Sequence, residues 1–361
     1  MLIAALLLLF GLVLLTIGAD KFVEGASSLA KKFGMSELAI GLTVVAFGTS
    51  APELIVNIMA SVNGSNGLAY GNIIGSNSFN LLLILGIAGM IYPLSAHPSL
   101  VRKDILYSLL AAVAVFILVN DNMIMGADTF AQTVVNKEGQ SITTTYVGIS
   151  SRLDGIILAV FFAYFLYYVF TSAKSGDAPS GEEEVQELSP VLTWLYLLGG
   201  LGALVVGGHL IVTTAVFLAT EWGMSEKMIG LTIVSAGTSL PELATSAIAA
   251  YRKKSDIAIA NVIGSNIFNI FFVLSTSAII APIPFEAALN IDIYVLLAAT
   301  VVLWIFLRTS TGRQHTPQEI DIMDNPELIK KGAKEYVFQR WQAFLFLLAY
   351  LAYTYFLIRR G

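Results

Sequence analysis

The stretch GLTVVAFGTSAPEL, residues 41–54, returns as GLTIVSAGTSLPEL at 230–243, with ten of fourteen positions identical. At the same offset of 189 residues, NIIGSNSFN (72–80) returns as NVIGSNIFN (261–269), and MSELAIG (35–41) as MSEKMIG (224–230). No gap is needed to align these blocks, so the constant register marks an internal duplication. Each copy carries a glutamate, Glu53 or Glu242, inside sequence that is otherwise apolar for a helix's length on both sides.

The 361 residues are 56% hydrophobic and 12% charged, against roughly 25% charged in a soluble domain. Stretches long enough to cross a bilayer, about 20 residues each, fall at 2–18, 37–62, 68–92, 100–119, 154–172, 191–219, 226–250, 257–280, 288–307 and 338–358. The first lacks a basic leader and a small-residue cleavage site, so it is expected to be a retained helix rather than a signal peptide. Five spans per copy is an odd number, so the second copy enters the membrane from the opposite side, as in many secondary transporters. The expected fold is an all-α membrane protein of ten transmembrane helices in two inverted-topology five-helix repeats, 1–172 and 191–361.

Fifteen of the 20 Lys and Arg residues fall on one side of this plan, beside the loops after spans 1, 3, 5, 7 and 9. The positive-inside rule makes that side cytoplasmic and places both termini outside. The 173–190 segment (SGDAPSGEEEVQELSP within it) reads as a cytoplasmic linker, its acidic run lacking the spacing of a calcium loop. The 120–153 loop is external, with Thr and Val runs suited to a small hairpin, and 308–337 is a cytoplasmic loop of mixed charge suited to a short surface helix. The chain has no cysteine, which removes disulfides and thiolate chemistry. Nothing in the composition calls for nucleic acid, and oligomeric state is open.

A charged side chain at mid-bilayer costs roughly 2.5–3.5 kcal/mol on insertion scales. The spacing around each glutamate supplies oxygens to offset that. Thr49 and Glu53, like Thr238 and Glu242, are four residues apart and share a helix face. Pro52 and Pro241 cannot donate to the carbonyls of Gly48 and Gly237, which frees carbonyls there and at neighbours such as Ala46 and Ser235. Asn72, Ser76 and Asn80, and equally Asn261, Ser265 and Asn269, follow i, i+4, i+8 and form a polar stripe. With Ser50 and Ser239 these are hard oxygen donors of the kind that Ca²⁺ takes six to eight at a time. The repeated blocks hold no histidine or cysteine, which argues against Zn or Cu. Two glutamates carry the charge that one Ca²⁺ or a set of monovalent ions neutralises. Ser76, Asn77, Ser265 and Asn266 could instead serve helix packing, and Gly18, Gly34, Gly41, Gly207, Gly223 and Gly230 read as close-packing glycines.

Other charged residues read as peripheral. Asp20 and Glu24 lie near the inner end of the first helix, where Lys21 or water satisfies them, and His209 stands where Asp20 stands in the other copy. Asp104, Asp154, Glu286 and Asp292 fall at span ends and are expected at the interface.

The paired GTSAPEL and GTSLPEL, each followed by GSNSFN or GSNIFN, closely resemble the two alpha-repeats of the calcium/cation antiporter superfamily, in particular its prokaryotic sodium/calcium exchangers. The resemblance implies ion sites at the midplane between helices 2, 3, 7 and 8, and alternating access in which helices 1 and 6 slide past that core. It implies Glu53 and Glu242 as carboxylates shared by Ca²⁺ and Na⁺, with Thr49 and Thr238 as further ligands. It also implies Ser50, Ser76, Ser239, Ser265 and the carbonyls of Ala46 and Ser235 at flanking sodium sites, and Asn80 at the centre of the first repeat. Asn269 departs from the aspartate of several relatives, which puts potassium dependence and ion stoichiometry in doubt.

These readings point to a Na⁺/Ca²⁺ antiporter of a prokaryotic inner membrane, with the two ions as substrates, the lipid bilayer as surroundings and no cofactor. The rival on the same scaffold is an H⁺/Ca²⁺ exchanger. A cation channel would line a pore with acidic residues, but broken helices in an inverted repeat favour a carrier. An intramembrane hydrolase lacks a base beside the repeated serines, so the chain is not expected to be an enzyme.

Overall fold

The computed structural model describes residues 2–64, 66–121, 130–135, 141–174, 188–221, 235–310 and 336–360. In chain order the first half runs α1 (Leu2–Phe33), α2 (Glu37–Thr49), α3 (Ala51–Val62), α4 (Gly67–Ile91), β1 (Leu94–Ala96), α5 (Ile105–Val119), β2 (Phe130–Val135), β3 (Ser141–Ser150) and α6 (Arg152–Lys174). The second half runs α7 (Pro190–Glu221), α8 (Ser235–Thr238), α9 (Leu240–Tyr251), α10 (Ser255–Ile280), β4 (Ile283–Glu286), α11 (Asn290–Thr309), β5 (Tyr336–Phe338) and α12 (Arg340–Arg360). Seven described helices are long and apolar enough to cross a membrane, and the bent pair α2–α3 makes an eighth. The protein is an all-α membrane protein with short strands at its loops. The 100–119 stretch is a π-helical turn, Leu100–Asp104, leading into the 15-residue α5. Of the 226–250 stretch, only residues from Ser235 onward are described.

Local chemistry explains the breaks. Lys31 and Lys32 close the last turn of α1, where cations favour the helix dipole, and Gly34 then turns the chain at φ +61°. That glycine has open space around it rather than a packing partner. Ser36 Oγ accepts from Ala39 N–H at 3.1 Å and starts α2. Between α2 and α3 the axis bends by 47°. The break falls at Ser50, with Pro52 in the first turn of α3 where its missing N–H costs least. Ser239 and Pro241 repeat this arrangement between α8 and α9.

Burial separates two kinds of helix. The apolar window of α10 is 94% buried and that of α4 is 78%, whereas those of α6, α7 and α12 are 22% buried. The first two form the centre, and the others turn large apolar side chains such as Tyr167, Leu198 and Leu351 outward. Gly41 and Gly264 bring α2 against α10, since an added Cβ would lie 2.6 Å from Ala260 Cβ or 2.8 Å from Ala46 Cβ respectively.

The strands join loops from the two halves. β1 pairs antiparallel with β5, and β2, β3 and β4 form a second antiparallel sheet in that order. The hairpin expected in 120–153 is present in β2 and β3, while its extension by β4 was not foreseen, because no local pattern announces a partner so distant in sequence. The expected surface helix in 308–337 falls mainly in 311–335, outside the described residues, as does most of the 173–190 linker. Asp104 and Asp292 are 1% and 3% exposed rather than interfacial, and the Tyr353 hydroxyl donates to Asp292 Oδ1 at 2.6 Å.

Helices α1 and α7 lie against each other along glycines at sevenfold spacing. A Cβ on Gly18 would meet Gly200 O at 2.9 Å, and one on Gly207 would meet Gly11 O at 2.9 Å. Asp20 and Glu24, expected near the end of the first helix, lie within it because α1 continues to Phe33; there Arg252 after α9 pairs with both, and Lys21 bonds Glu24 at 3.0 Å. The positions 189 residues away hold His209, Thr213 and Asn63, so the duplicate has no equivalent carboxylate–guanidinium pair. Replacing Gly200 by Val would place a Cβ 2.7 Å from Phe22 N and 2.8 Å from Gly18 O. The two helices must then separate, and a loss of about 1–3 kcal/mol of stability is expected, read as a lower Tm of the purified protein.

Candidate ion-binding site

The broken helices place Glu53 and Glu242 in the first turns of α3 and α9, where exposed N–H groups and the helix dipole favour a carboxylate. Both side chains are completely buried. Neither forms an ion pair with a described Lys, Arg or His, and no cluster of three or more His, Asp or Glu side chains gathers among the described residues. The site therefore has two carboxylates and needs compensation from elsewhere.

Part of it comes across the halves. Ser50 Oγ donates to Glu242 Oε1 at 2.9 Å, and Ser239 Oγ donates to Glu53 Oε1 at 2.8 Å. Ser265 Oγ lies 3.4 Å from Glu242 Oε1. Thr49 Oγ1 is 3.1 Å from Asn261 Oδ1 and also 3.1 Å from Val45 O, between which its single proton is shared. Thr238 Oγ1 reaches Asn72 Oδ1 at 3.1 Å. Asn261 Nδ2 in turn donates to Ser246 Oγ at 3.0 Å, and Asn57 Nδ2 to Glu53 O at 3.0 Å.

A second layer holds the central amides. Asn80 Nδ2 donates to Asn266 Oδ1 at 3.1 Å, and Asn269 Nδ2 to Asn77 Oδ1 at 3.0 Å. Asn77 and Asn266 also exchange side-chain donors for each other's main-chain carbonyls at 3.3 Å. π-Helical turns at Phe79–Ile84 and Asn269–Leu274 begin at this level of α4 and α10, and such turns recur at functional sites.

Among the residues expected at the site, five buried oxygens are left without a hydrogen-bond partner: Glu53 Oε2, Glu242 Oε2, Ser76 Oγ, Asn80 Oδ1 and Asn269 Oδ1. Buried polar atoms in folded proteins almost always have a partner. The five atoms are hard oxygen donors, two of them anionic, and that chemistry suits Ca²⁺ or Na⁺ rather than a soft metal.

The residues expected from sequence thus divide into groups. Glu53, Glu242, Thr49, Thr238, Ser50, Ser239 and Ser265 take part in hydrogen bonds around the two carboxylates, most of them running between the halves; Asn80 and Asn269 belong to a separate amide set with Asn77 and Asn266, and Ser76 stands buried on the same polar stripe of α4 as Asn80. The carbonyl of Ala46 accepts Ser50 N–H at 3.0 Å and lies 3.4 Å from the Thr49 hydroxyl. Ser235 opens α8, and only its main chain is described. Sequence reasoning passed over Asn77 and Asn266 as positioning residues. Their presence in both GSN blocks was the available signal, but whether an asparagine packs or orients a neighbour depends on the facing helix.

Known proteins share this arrangement of sequence. The family described as sodium/calcium exchanger protein matches residues 3–171 and 192–359. The sodium/calcium exchanger MaX1 of Methanosarcina acetivorans is 32% identical over 321 residues, covering 84% of this chain and 91% of that protein. The inner membrane protein YrbG of Escherichia coli is 38% identical over 292 residues, covering 78% and 81%. A solved structure of the sodium-calcium exchanger NCX_Mj, soaked with Na⁺ and Ca²⁺, aligns with a TM-score of 0.72 at 30% identity over 97% of both chains.

Replacing Asn77 by Ala removes the acceptor for Asn269 Nδ2 while leaving both glutamates in place. Loss of an orienting partner typically lowers ion affinity about 10–100-fold. The Ca²⁺ concentration needed to raise the Tm of the purified protein is expected to increase accordingly.

Proposed function

The chain belongs to the sodium/calcium exchanger protein family, and on that premise we propose that it exchanges Na⁺ for Ca²⁺ across a prokaryotic inner membrane by alternating access. The observation that carries this reading is the pair of buried glutamates, each bonded through one oxygen to a serine of the other half and each with its second oxygen unpartnered. Two carboxylates taken out of water repel one another and each loses its hydration. One Ca²⁺ offsets both charges, and so do monovalent cations bound in its place. The two ions therefore compete for Glu53 and Glu242 and cross in separate steps. No bond of a substrate is made or broken at such a site, so the protein is a carrier and not an enzyme.

The architecture proposed for this cycle is ten spans in two inverted halves, 1–172 and 191–361, with Glu53, Thr49, Ser50, Ser76 and Asn80 facing Glu242, Thr238, Ser239, Ser265 and Asn269. The carbonyls of Ala46 and Ser235 complete flanking Na⁺ positions. The lysine and arginine distribution puts both termini outside. The strands support the grouping of the loops by side, whichever side is the cytoplasm: β1 and β5 pair two loops assigned to one face, and β3 and β4 pair two assigned to the other. The α1–α7 pair, joined by its glycine seam, moves against the buried α4–α10 core and exposes the site to each side in turn. Exchange of several Na⁺ per Ca²⁺ makes the cycle electrogenic.

The test is ⁴⁵Ca²⁺ uptake into sodium-loaded proteoliposomes. Uptake is expected with an outward Na⁺ gradient and is expected to fall to the level of protein-free liposomes in Glu53→Gln and in Glu242→Gln. Uptake that follows an imposed pH gradient in the absence of sodium would instead assign H⁺ as the coupling ion, and conductance without saturable exchange would reject the carrier.

A further inference from the structure

The α1–α7 pair is held to the rest of the molecule differently at its two ends. On the face assigned to the cytoplasm, α1 lies along α9, whereas the duplicate pair on the opposite face, α7 and α3, makes little contact among the described residues. The structure is closed on the first face and looser on the second. We propose that Arg252 latches the closed face: its guanidinium holds the Asp20 and Glu24 carboxylates of α1 against α9, and release of that grip opens the ion site toward the cytoplasm. This inference rests on the alternating-access reading above and adds that the two faces open with unequal ease.

Asp20 and Glu24 are four residues apart and share one face of α1, and Arg252 is the residue that follows α9. Its Nη2 contacts Asp20 Oδ1 and lies 3.8 Å from Glu24 Oε2. Lys21 completes the cluster, 3.0 Å from Glu24 Oε2 and 3.8 Å from Asp20 Oδ2, with its ammonium 4.6 Å from the centre of the Tyr196 ring on α7. Both carboxylates and Lys21 therefore belong to the α1–α7 pair, and Arg252 alone comes from outside it. When the pair moves, Lys21 travels with the carboxylates and continues to compensate them. Arg252 is partly exposed, so water replaces the partners it loses. The grip is thus strong enough to bias the position of α1 and weak enough to break. Two residues on, Lys254 pairs with Glu37 at 2.7 Å, but that bond joins α10 to α2 and does not oppose the movement.

The opposite face has no equivalent grip. At the positions 189 residues away stand His209 and Thr213 on α7 and Asn63 after α3. His209 and Asn63 are exposed, and the Thr213 hydroxyl donates to the His209 carbonyl of its own helix. Among the described residues none of the three enters an ion pair. Electrostatics therefore closes one face and not the other, and the conformation shut toward Arg252 is the favoured one. Partly exposed ion pairs of this kind shift such an equilibrium by about fivefold.

The chain contains no cysteine, so Ser27→Cys introduces a single thiol. Ser27 lies three residues beyond Glu24 on the same face of α1, is 2% exposed, and its hydroxyl has no partner to lose. The experiment measures how fast a charged, water-soluble maleimide labels this thiol in the detergent-purified full chain without Na⁺ or Ca²⁺. Labelling is expected to be slow in Ser27→Cys alone and about fivefold faster when Arg252→Gln or Asp20→Asn is added. Combining the two is expected to bring no further increase, because both remove the same interaction. Lys254→Gln is expected to label like the parent. Unchanged labelling in Arg252→Gln and Asp20→Asn, additive effects of the two, or equal acceleration in Lys254→Gln would each overturn the proposal. The nearly isosteric Asp20→Asn decides the matter if Arg252→Gln does not fold. Uptake of ⁴⁵Ca²⁺ by the Ser27→Cys parent separates the two readings: a chain that exchanges ions but whose labelling ignores Arg252 rejects the latch alone, and one that carries no Ca²⁺ rejects the carrier.

Discussion

Two buried carboxylates, with no cationic side chain among the described residues beside them, constrain everything else in this protein. Among the described residues no lysine or arginine bonds them, and hydroxyls and amides surround them instead. The structure meets that demand in an unequal way. One oxygen of each glutamate is held by a serine, which orients the carboxylate, and the other is left without a partner. A network that satisfied all four oxygens would be a stable core with no capacity for a cation.

The bonds that orient the glutamates run between the halves of the chain. Ser50 serves Glu242 and Ser239 serves Glu53, Thr49 meets Asn261 and Thr238 meets Asn72, and Asn77 and Asn266 hold each other's neighbours. Neither duplicate is complete by itself. This reciprocity also explains why α4 and α10 are so deeply buried, since each must be packed against the other half to deliver its amides. The α1–α7 pair has a different character. Glycines let its two backbones approach each other, and its outer surface remains apolar and exposed.

Divergence between the duplicates is concentrated away from the centre. Where the hydrogen bonds of the site correspond closely, its surroundings do not: Arg252 grips α1 through Asp20 and Glu24 without a counterpart, and Asp292 bonds Tyr353 and pairs with Arg360. Ion chemistry requires oxygens at matched places in both halves. The two membrane faces impose no such matching, because each meets a different environment.

Much of the site was legible in the linear chain. A glutamate behind Gly-Thr-Ser-x-Pro in an apolar segment, repeated at a constant offset, carries its own physical meaning: a charge that membrane burial would penalise, beside a helix break that supplies oxygens. The i, i+4, i+8 stripe of Asn and Ser followed from helix geometry alone. What sequence left open was which atoms face one another. The exchange of serines across the halves, the orienting role of Asn77 and Asn266, the burial of Asp104 and Asp292, and the addition of β4 to the hairpin all depend on contacts between segments far apart in the chain. Local periodicity determines the face of a helix on which a residue lies, but only packing decides what that face meets, and hydrogen bonding is sensitive to that encounter at the scale of a single atom.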